Sequence, residues 1–323
     1  MRYGSVCSGI EAATQAWHGL GWEPAFFSDI EKFPVAVLQH HYPDVPVHGD
    51  FTTIKDDEYG AIDLLVGGTP CQSFSVAGLR GGMDDDRGNL ALEFLRLAQR
   101  KTPKWLVWEN VPGVLSSNGG RDFGSFLGAL AEIGYGFAYR VLDAQYFGVA
   151  QRRRRVFVVG YLGDWRRAAA VLFEREGLLG NPAPSREETK EAACWPAECA
   201  ATLNASFGNK QGLEDQHALG GASWFVPAKN VAGPLTAGMH KGPRGTEGVE
   251  SNHIVASGLS VRRLTPTECE RLQGFPDNFT QIPYRNKPAE NCPDGPRYKA
   301  LGNSFAVPVM SWIGERIQAV EAL

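Results

Sequence analysis

Several things are scarce or missing in this 323-residue chain. It has only six cysteines, Cys7, Cys71, Cys194, Cys199, Cys269 and Cys292, without framework spacing. That excludes a small disulfide scaffold and makes free thiols the default. Cys194 and Cys199 are followed by His217, His240 and His253, but the spacing is poor for zinc, so no metal is expected. No apolar run approaches the roughly 18 residues of a membrane helix. The opening residues Met1–Val6 lack the apolar stretch of a secretory signal, so a cytoplasmic protein with no membrane partner is expected. There is neither a complete G-x-G-x-x-G nor a Walker loop. Charge of one sign is not dominant either: 32 Lys+Arg stand against 36 Asp+Glu. The first 150 residues carry 11 basic and 18 acidic side chains, the remainder 21 and 18. A nonspecific nucleic-acid coat is disfavoured, while the basic half permits a polyanion partner.

What is present is a core and an alternating pattern. Hydrophobic residues make up 43% of the chain, enough for one large domain or two smaller ones. Tyr3–Val6, Pro24–Ser28, Ile62–Val66, Trp105–Trp108 and Val156–Tyr161 read as strands. Between them, Ala13/Ala16/Trp17/Leu20, Phe33–His41, Ala91/Phe94/Leu95/Ala98 and Phe123/Phe126/Leu127/Leu130 carry helical spacing. This order predicts a mostly parallel sheet covered by helices. Residues from about 166 to 260 are richer in Gly, Pro, Asn and Ser. Trp224–Val226 and His253–Ala256 suggest a small, loop-rich domain of short strands there. Regularity returns at Thr265–Leu272. A last helix through Val309, Trp312, Ile313 and Ile317 is expected to pack back onto the first domain.

In such sheets ligands bind beyond the carboxyl ends of the strands. The first strand is followed by Cys7-Ser8-Gly9-Ile10-Glu11, the second by Asp29-Ile30-Glu31, and a third turn holds Gly49-Asp50-Phe51. These suit a nucleoside without a phosphate cradle, since an acid after the second strand bonds ribose hydroxyls; plain turn chemistry is the alternative. After the Ile62–Val66 strand, Gly68, Thr69 and Pro70 lead into Cys71, a candidate nucleophile or an inert thiol. Gly78–Gly88 reads as a mobile lid or a solvated loop. Glu109, at the end of the next strand, could hold a proton if buried and act as a general acid. In Gln151–Arg155, alternation would send Arg153 and Arg155 to one face; a solvated basic run is the alternative. Gly302-Asn303-Ser304 precedes the last helix and could close the pocket.

Taken together, Pro70-Cys71-Gln72, Glu109-Asn110-Val111, Gln151-x-Arg153-x-Arg155, Arg263-Leu264-Thr265-Pro266 through Leu272-Gln273-Gly274-Phe275-Pro276, and Tyr298–Ser304 resemble the DNA cytosine-5 methyltransferase family over nearly the whole chain. The resemblance implies an α/β, Rossmann-like domain over 1–165 that binds S-adenosyl-L-methionine and is completed by 298–323. Residues 166–297 would be the target-recognition domain. It implies that Cys71 adds to carbon 6 of a cytosine flipped out of double-stranded DNA. Glu109 would protonate ring nitrogen 3, Arg155 would bond oxygen 2, and Arg153 would hold the Cys71 loop. The loop from Ser73 to Arg87 would close over the base, with Ser75 near the vacated stack. Ser8, Gly9 and Ile10 would meet the methionine end of the cofactor, Asp29 the ribose, Ile30 the adenine, and Asp50 with Phe51 the adenine edge. Gly68, Pro70, Leu90, Asn303 and Ser304 would line the rest. A monomer is implied, and a cognate restriction endonuclease is an open partner. Cys7, Glu11 and Ala12 depart from the family's aromatic and glycines. Lys229, Lys241 and Arg244 are candidate DNA contacts. The alternatives are tRNA cytosine methylation, a non-catalytic DNA-binding protein and, from the sheet alone, a nicotinamide-dependent dehydrogenase.

Overall fold

The computed structural model describes residues 1–70, 90–173, 254–257 and 260–323. A seven-stranded sheet runs through the centre: β1 (Arg2–Val6), β2 (Glu23–Ser28), β3 (Val47–His48), β4 (Leu64–Gly67), β5 (Trp105–Asn110), β6 (Tyr135–Asp143) and β7 (Arg154–Leu162). Their order is β3-β2-β1-β4-β5-β7-β6. Pairings among β1 to β5 are parallel, and β7 alone runs antiparallel, to both β5 and β6. The reversal follows from chain length. Only the segment between Asp143 and Arg154 joins β6 to β7, too short for the crossover that parallel strands need.

Both faces of the sheet are buried, which explains the unbroken apolar runs. In β4 and β5, Leu65, Leu106 and Trp108 point to one side. There they meet Phe94 and Leu95 of α3 (Leu90–Lys101) and Phe126 of α4 (Arg121–Glu132). Leu64, Val66, Trp105 and Val107 point to the other side. They meet Trp17 of α1 (Ala12–Trp17), Val171 of α5 (Trp165–Leu172) and Met310, Ile313 and Ile317 of α8 (Val307–Glu321). The last helix therefore packs on the first, and the Trp17 indole nitrogen donates to the Met310 carbonyl at 2.8 Å. A Cβ at Gly314 would sit 2.4 Å from the Trp17 ring, so this crossing requires glycine.

A third cluster joins α2 (Lys32–His41), α6 (Pro266–Gln273) and α7 (Asp294–Asn303) through Phe33, Val37, Cys269, Phe275, Tyr298 and Leu301. Thr265 and Glu268 close a capping box at the start of α6, and Gly274 ends it in the left-handed conformation. β8 (Ile254–Ser257) and β9 (Ser260–Arg263) form an antiparallel hairpin just before it.

Three local readings differ from expectation. The first helix is only six residues long and tightens to a 3-10 turn at His18–Leu20. Residues 165–172, placed by composition largely in a loop-rich stretch, form α5 on the main core. The nine-residue β6 carries apolar residues without a clean period, and at the sheet edge Gly136, Phe137, Tyr139, Arg140 and Val141 are partly exposed. Trp224–Val226, Cys194, Cys199, Lys229, Lys241, Arg244 and the loop from Ser73 to Arg87 lie outside the described residues, as does Cys71 itself.

Candidate active site

The strand order reverses direction between β1 and β4, and their carboxyl ends, with those of β2 and β5, form one edge. β5 is buried along its whole length and delivers Glu109 and Asn110 to that edge. The chain leaves β4 through Gly68, whose missing side chain makes room. A Cβ there would lie 3.0 Å from Glu109 Oε2 and 2.7 Å from the Phe305 ring. The next residue is anchored twice. Trp108 Nε1 donates to Thr69 Oγ1 at 3.0 Å, and Asn110 Nδ2 donates to the Thr69 carbonyl at 3.0 Å. Asn110 Oδ1 accepts from its neighbour Val111 N at 2.9 Å, which fixes the amide's orientation. The chain thus enters position 71 from a peptide fastened beside Glu109.

Glu109 is buried and paired with Arg155, Nε to Oε1 at 3.0 Å. Burial pushes its carboxyl above the usual range, and Arg155 and then Arg153 oppose that shift. An acid so placed can carry a proton that an exposed glutamate would lose. Arg153 is 3% exposed, and its Nη2 donates to the Ser304 carbonyl at 2.7 Å and the Gly302 carbonyl at 3.2 Å. Burial and then Arg155 act against its charge, with Glu109 opposing. A guanidinium nevertheless stays protonated at neutral pH. Arg153 therefore ties the strand-β7 entrance to the turn between α7 and α8, while Arg155 holds the acid.

A glutamine pair extends this tie. Gln151 Nε2 donates to the Leu272 carbonyl at 2.8 Å, and Gln273 Nε2 donates to the Leu301 carbonyl at 2.7 Å; both side chains are fully buried. Sequence reading placed Gln151 and Gln273 in motifs without giving either a role. Thr69 and Asn110 were likewise passed over. Their signal was position, flanking Cys71 and following Glu109.

On the β1–β2 side, Gly9 N donates to Asp29 Oδ2 at 2.8 Å and Glu31 N to Asp29 Oδ1 at 2.8 Å. Asp29 therefore pins both turns at once. Burial raises its pKa although these backbone groups oppose the shift. Ser8 Oγ donates to the Ser5 carbonyl and accepts from Ser28 N, so its side chain belongs to the β1–β2 junction. Ile10 and Phe51 have their side chains in the core. Ile30, by contrast, is 76% exposed beside Asp29, an apolar platform facing outward. Asp50 is exposed and caps the turn at Phe51–Thr53 through Thr52 N. Pro70 and Asn303 are exposed, Leu90 opens α3 and packs on the core, and Ser304 is buried with its carbonyl on Arg153.

Asp29 and Asp50 make the β1–β2 side of this edge locally negative, whereas Arg153 and Arg155 lie beside Glu109 at the end of β5. The Cys7 thiol is pushed up to about 12, first by burial and then by the Asp29 and Asp50 carboxylates. Such a field repels phosphate and favours a cationic ligand. The described residues contain no group of three side chains able to hold a metal. None of their helices is long and apolar enough to cross a membrane.

Residues 1–319 match the C-5 cytosine-specific DNA methylase family. The chain is 37% identical to the "DNA N-6-adenine-methyltransferase" of Escherichia phage P1, across 98% of this chain but 61% of that protein. It is 31% identical to the Type II methyltransferase M.NlaX of Neisseria lactamica, across 93% of this chain and 92% of that one. In fold it is similar to the S. pombe Dnmt2 methyltransferase, with a TM-score of 0.65 at 18% identity, covering 99% of both chains.

Proposed function

The chain belongs to the C-5 cytosine-specific DNA methylase family, and from this premise we propose that it methylates carbon 5 of a cytosine flipped out of duplex DNA at a specific sequence. The observation that carries the reading is the buried Glu109, clasped by Arg155 and set against Gly68, three residues before Cys71 in the chain.

S-adenosylmethionine fits the β1–β2 side on structural grounds. A cationic ligand suits the field of Asp29 and Asp50. The Cβ position of the left-handed Gly9 faces open space, so the turn allows close approach. Ile30 offers its exposed face to an adenine, and Asp29 lies next to it. When bound, S-adenosylmethionine supplies an electrophilic methyl group.

The rest is done by the chain's own residues. Flipping delivers the cytosine to the strand ends at a cost of about a few kcal/mol. The Cys71 thiolate forms a bond to carbon 6, and the carbon 5–carbon 6 π electrons move into the ring. Glu109 passes its proton to nitrogen 3, which neutralises that charge and leaves carbon 5 an enamine nucleophile. Arg155 holds Glu109 and would bond the base's oxygen 2. Once carbon 5 carries the methyl, its proton passes to solvent water, the freed electron pair rebuilds the carbon 5–carbon 6 double bond, and the thiolate departs with the sulfur–carbon 6 bonding pair. Nitrogen 3 returns its proton to Glu109. Arg153 and Asn110 act through structure, one holding the Ser304 turn and the other the Thr69 peptide. Sequence readout is assigned to the segment between α5 and β8.

The test is transfer of labelled methyl to unmethylated duplex DNA with base-resolution mapping, alongside a tRNA substrate. Methyl groups on cytosine carbon 5 in one recurring DNA context support the reading. Label on adenine, as the name of the phage P1 relative describes for that protein, or on tRNA alone, overturns it.

A further inference from the structure

The β1–α1 turn contains an acid that the chemistry above does not use. Glu11 is 1% exposed, and its backbone is left-handed with φ 61°, a region that favours glycine. Cys7 and Gly9 are also left-handed, with φ 50° and 57°, so the turn coils tightly out of β1. The Glu11 carboxylate gathers three donors: Ser5 Oγ from β1, Thr14 Oγ1 at 2.6 Å and Thr14 N at 3.2 Å. Because the one hydroxyl hydrogen of Thr14 goes to Glu11, Tyr3 must donate to Thr14 Oγ1, at 2.7 Å. A chain of hydrogen bonds therefore runs from Tyr3 through Thr14 to Glu11. Glu11 N donates to the Ser8 carbonyl at 3.0 Å, closing the loop over Gly9 and Ile10. One side of the turn is thus fixed by Glu11 and the other by Asp29.

We propose that Glu11 is a positioning residue, whose ionised carboxylate holds the Cys7–Ile10 turn in the shape that receives S-adenosylmethionine, so that cofactor affinity weakens as Glu11 takes up a proton. The ionised group accepts all three bonds. The neutral acid must donate from one oxygen. Thr14 N cannot accept, so a hydroxyl bond has to reverse or break. Burial raises the Glu11 pKa to about 7, which brings this change within the working range. The titratable groups that face it among the described residues are Tyr3 of β1 and Tyr42 after α2. Burial keeps both phenols neutral there.

The proposal rests on the cofactor reading above, and its test separates the two. Calorimetric binding of S-adenosylmethionine without DNA is followed from pH 5.5 to 8.5 for the wild type, Glu11→Gln and Glu11→Gly. At pH 8, Glu11→Gly, which suits the backbone, is expected to bind about tenfold more weakly. Glu11→Gln should fall between the two and lose the part of the acid-side weakening that belongs to Glu11. Wild-type affinity in Glu11→Gly, or an unchanged pH profile in Glu11→Gln, overturns the proposal while leaving the methyltransferase reading intact. If Glu11→Gly does not fold, the pH profile of Glu11→Gln decides alone. Wild-type protein that binds no S-adenosylmethionine at any pH overturns both.

Discussion

Replacing Gly68 with alanine should slow methyl transfer as well as weaken the fold. The new methyl would lie 2.7 Å and 3.1 Å from two Phe305 ring atoms and 3.0 Å from Glu109 Oε2. Comfortable contacts of this kind lie near about 3.5–4.0 Å, so roughly 0.5–1 Å of movement must be shared. Phe305 is only partly buried and can yield some of it; Glu109 must yield the rest against its bond to Arg155. Overpacking on this scale costs about 1–3 kcal/mol. Displacing a catalytic acid by several tenths of an ångström slows the step by about 10- to 100-fold. Gly67→Ala is the control. Its methyl would strike Val6 Cγ2 at 2.6 Å and the Val6 carbonyl at 2.9 Å, in the core and away from the acid. Single-turnover transfer is measured at saturating cofactor and DNA, well below both melting temperatures. The reasoning fails if Gly68→Ala stays within about twofold of wild type, or if Gly67→Ala loses as much rate.

Further outcomes follow from the same contacts. Glu109→Gln keeps the shape but loses the proton, and its rate should drop by about 10²–10⁴-fold. Because burial holds the Glu109 proton above the usual range, wild-type turnover should fall as pH rises through that raised pKa, and a pH–rate profile checks the sign. Asn110→Ala removes the bonds to the Thr69 carbonyl and Val111 N; a loss of about 1–2 kcal/mol in urea titration, with a lower single-turnover rate, is expected. Arg297→Met strands Glu270, whose carboxylate is fully buried and also accepts from Asn278 N and Thr280 N. Breaking such a pair costs about 3–5 kcal/mol, again read by urea titration.

Much of the sheet was legible because its central strands are buried on both faces and so appear as plain apolar runs. The last helix was legible for the same reason: Val309, Ile313 and Ile317 keep helical spacing and enter the core beside Trp17. β6 and α5 were not. The first is an edge strand whose burial follows no period of two, and the second begins Trp165-Arg166-Arg167 and buries only Ala168, Val171 and Leu172. At the candidate site, residue types announced Glu109, Arg153 and Arg155, whose nearness the fold then supplied. The supporting residues were silent. Asn110, Gln151 and Gln273 act through bonds to backbone carbonyls more than a hundred or only tens of residues away, and no local pattern encodes such a partner. Glu11 was visible only as a departure from glycine; that its carboxylate is buried among Ser5 and Thr14 required coordinates.

The central claim is that a sulfur–carbon bond forms during transfer, and one substrate tests it directly. In duplex DNA carrying 5-fluorocytosine throughout, carbon 5 has no proton to lose after methylation, so the thiolate has no route to leave. Intact mass spectrometry with S-adenosylmethionine present should show protein joined to methylated DNA, and peptide mapping should place the bond on Cys71. Ordinary DNA methylated normally while the fluorinated duplex yields no adduct, or an adduct that persists in Cys71→Ala, would contradict the account.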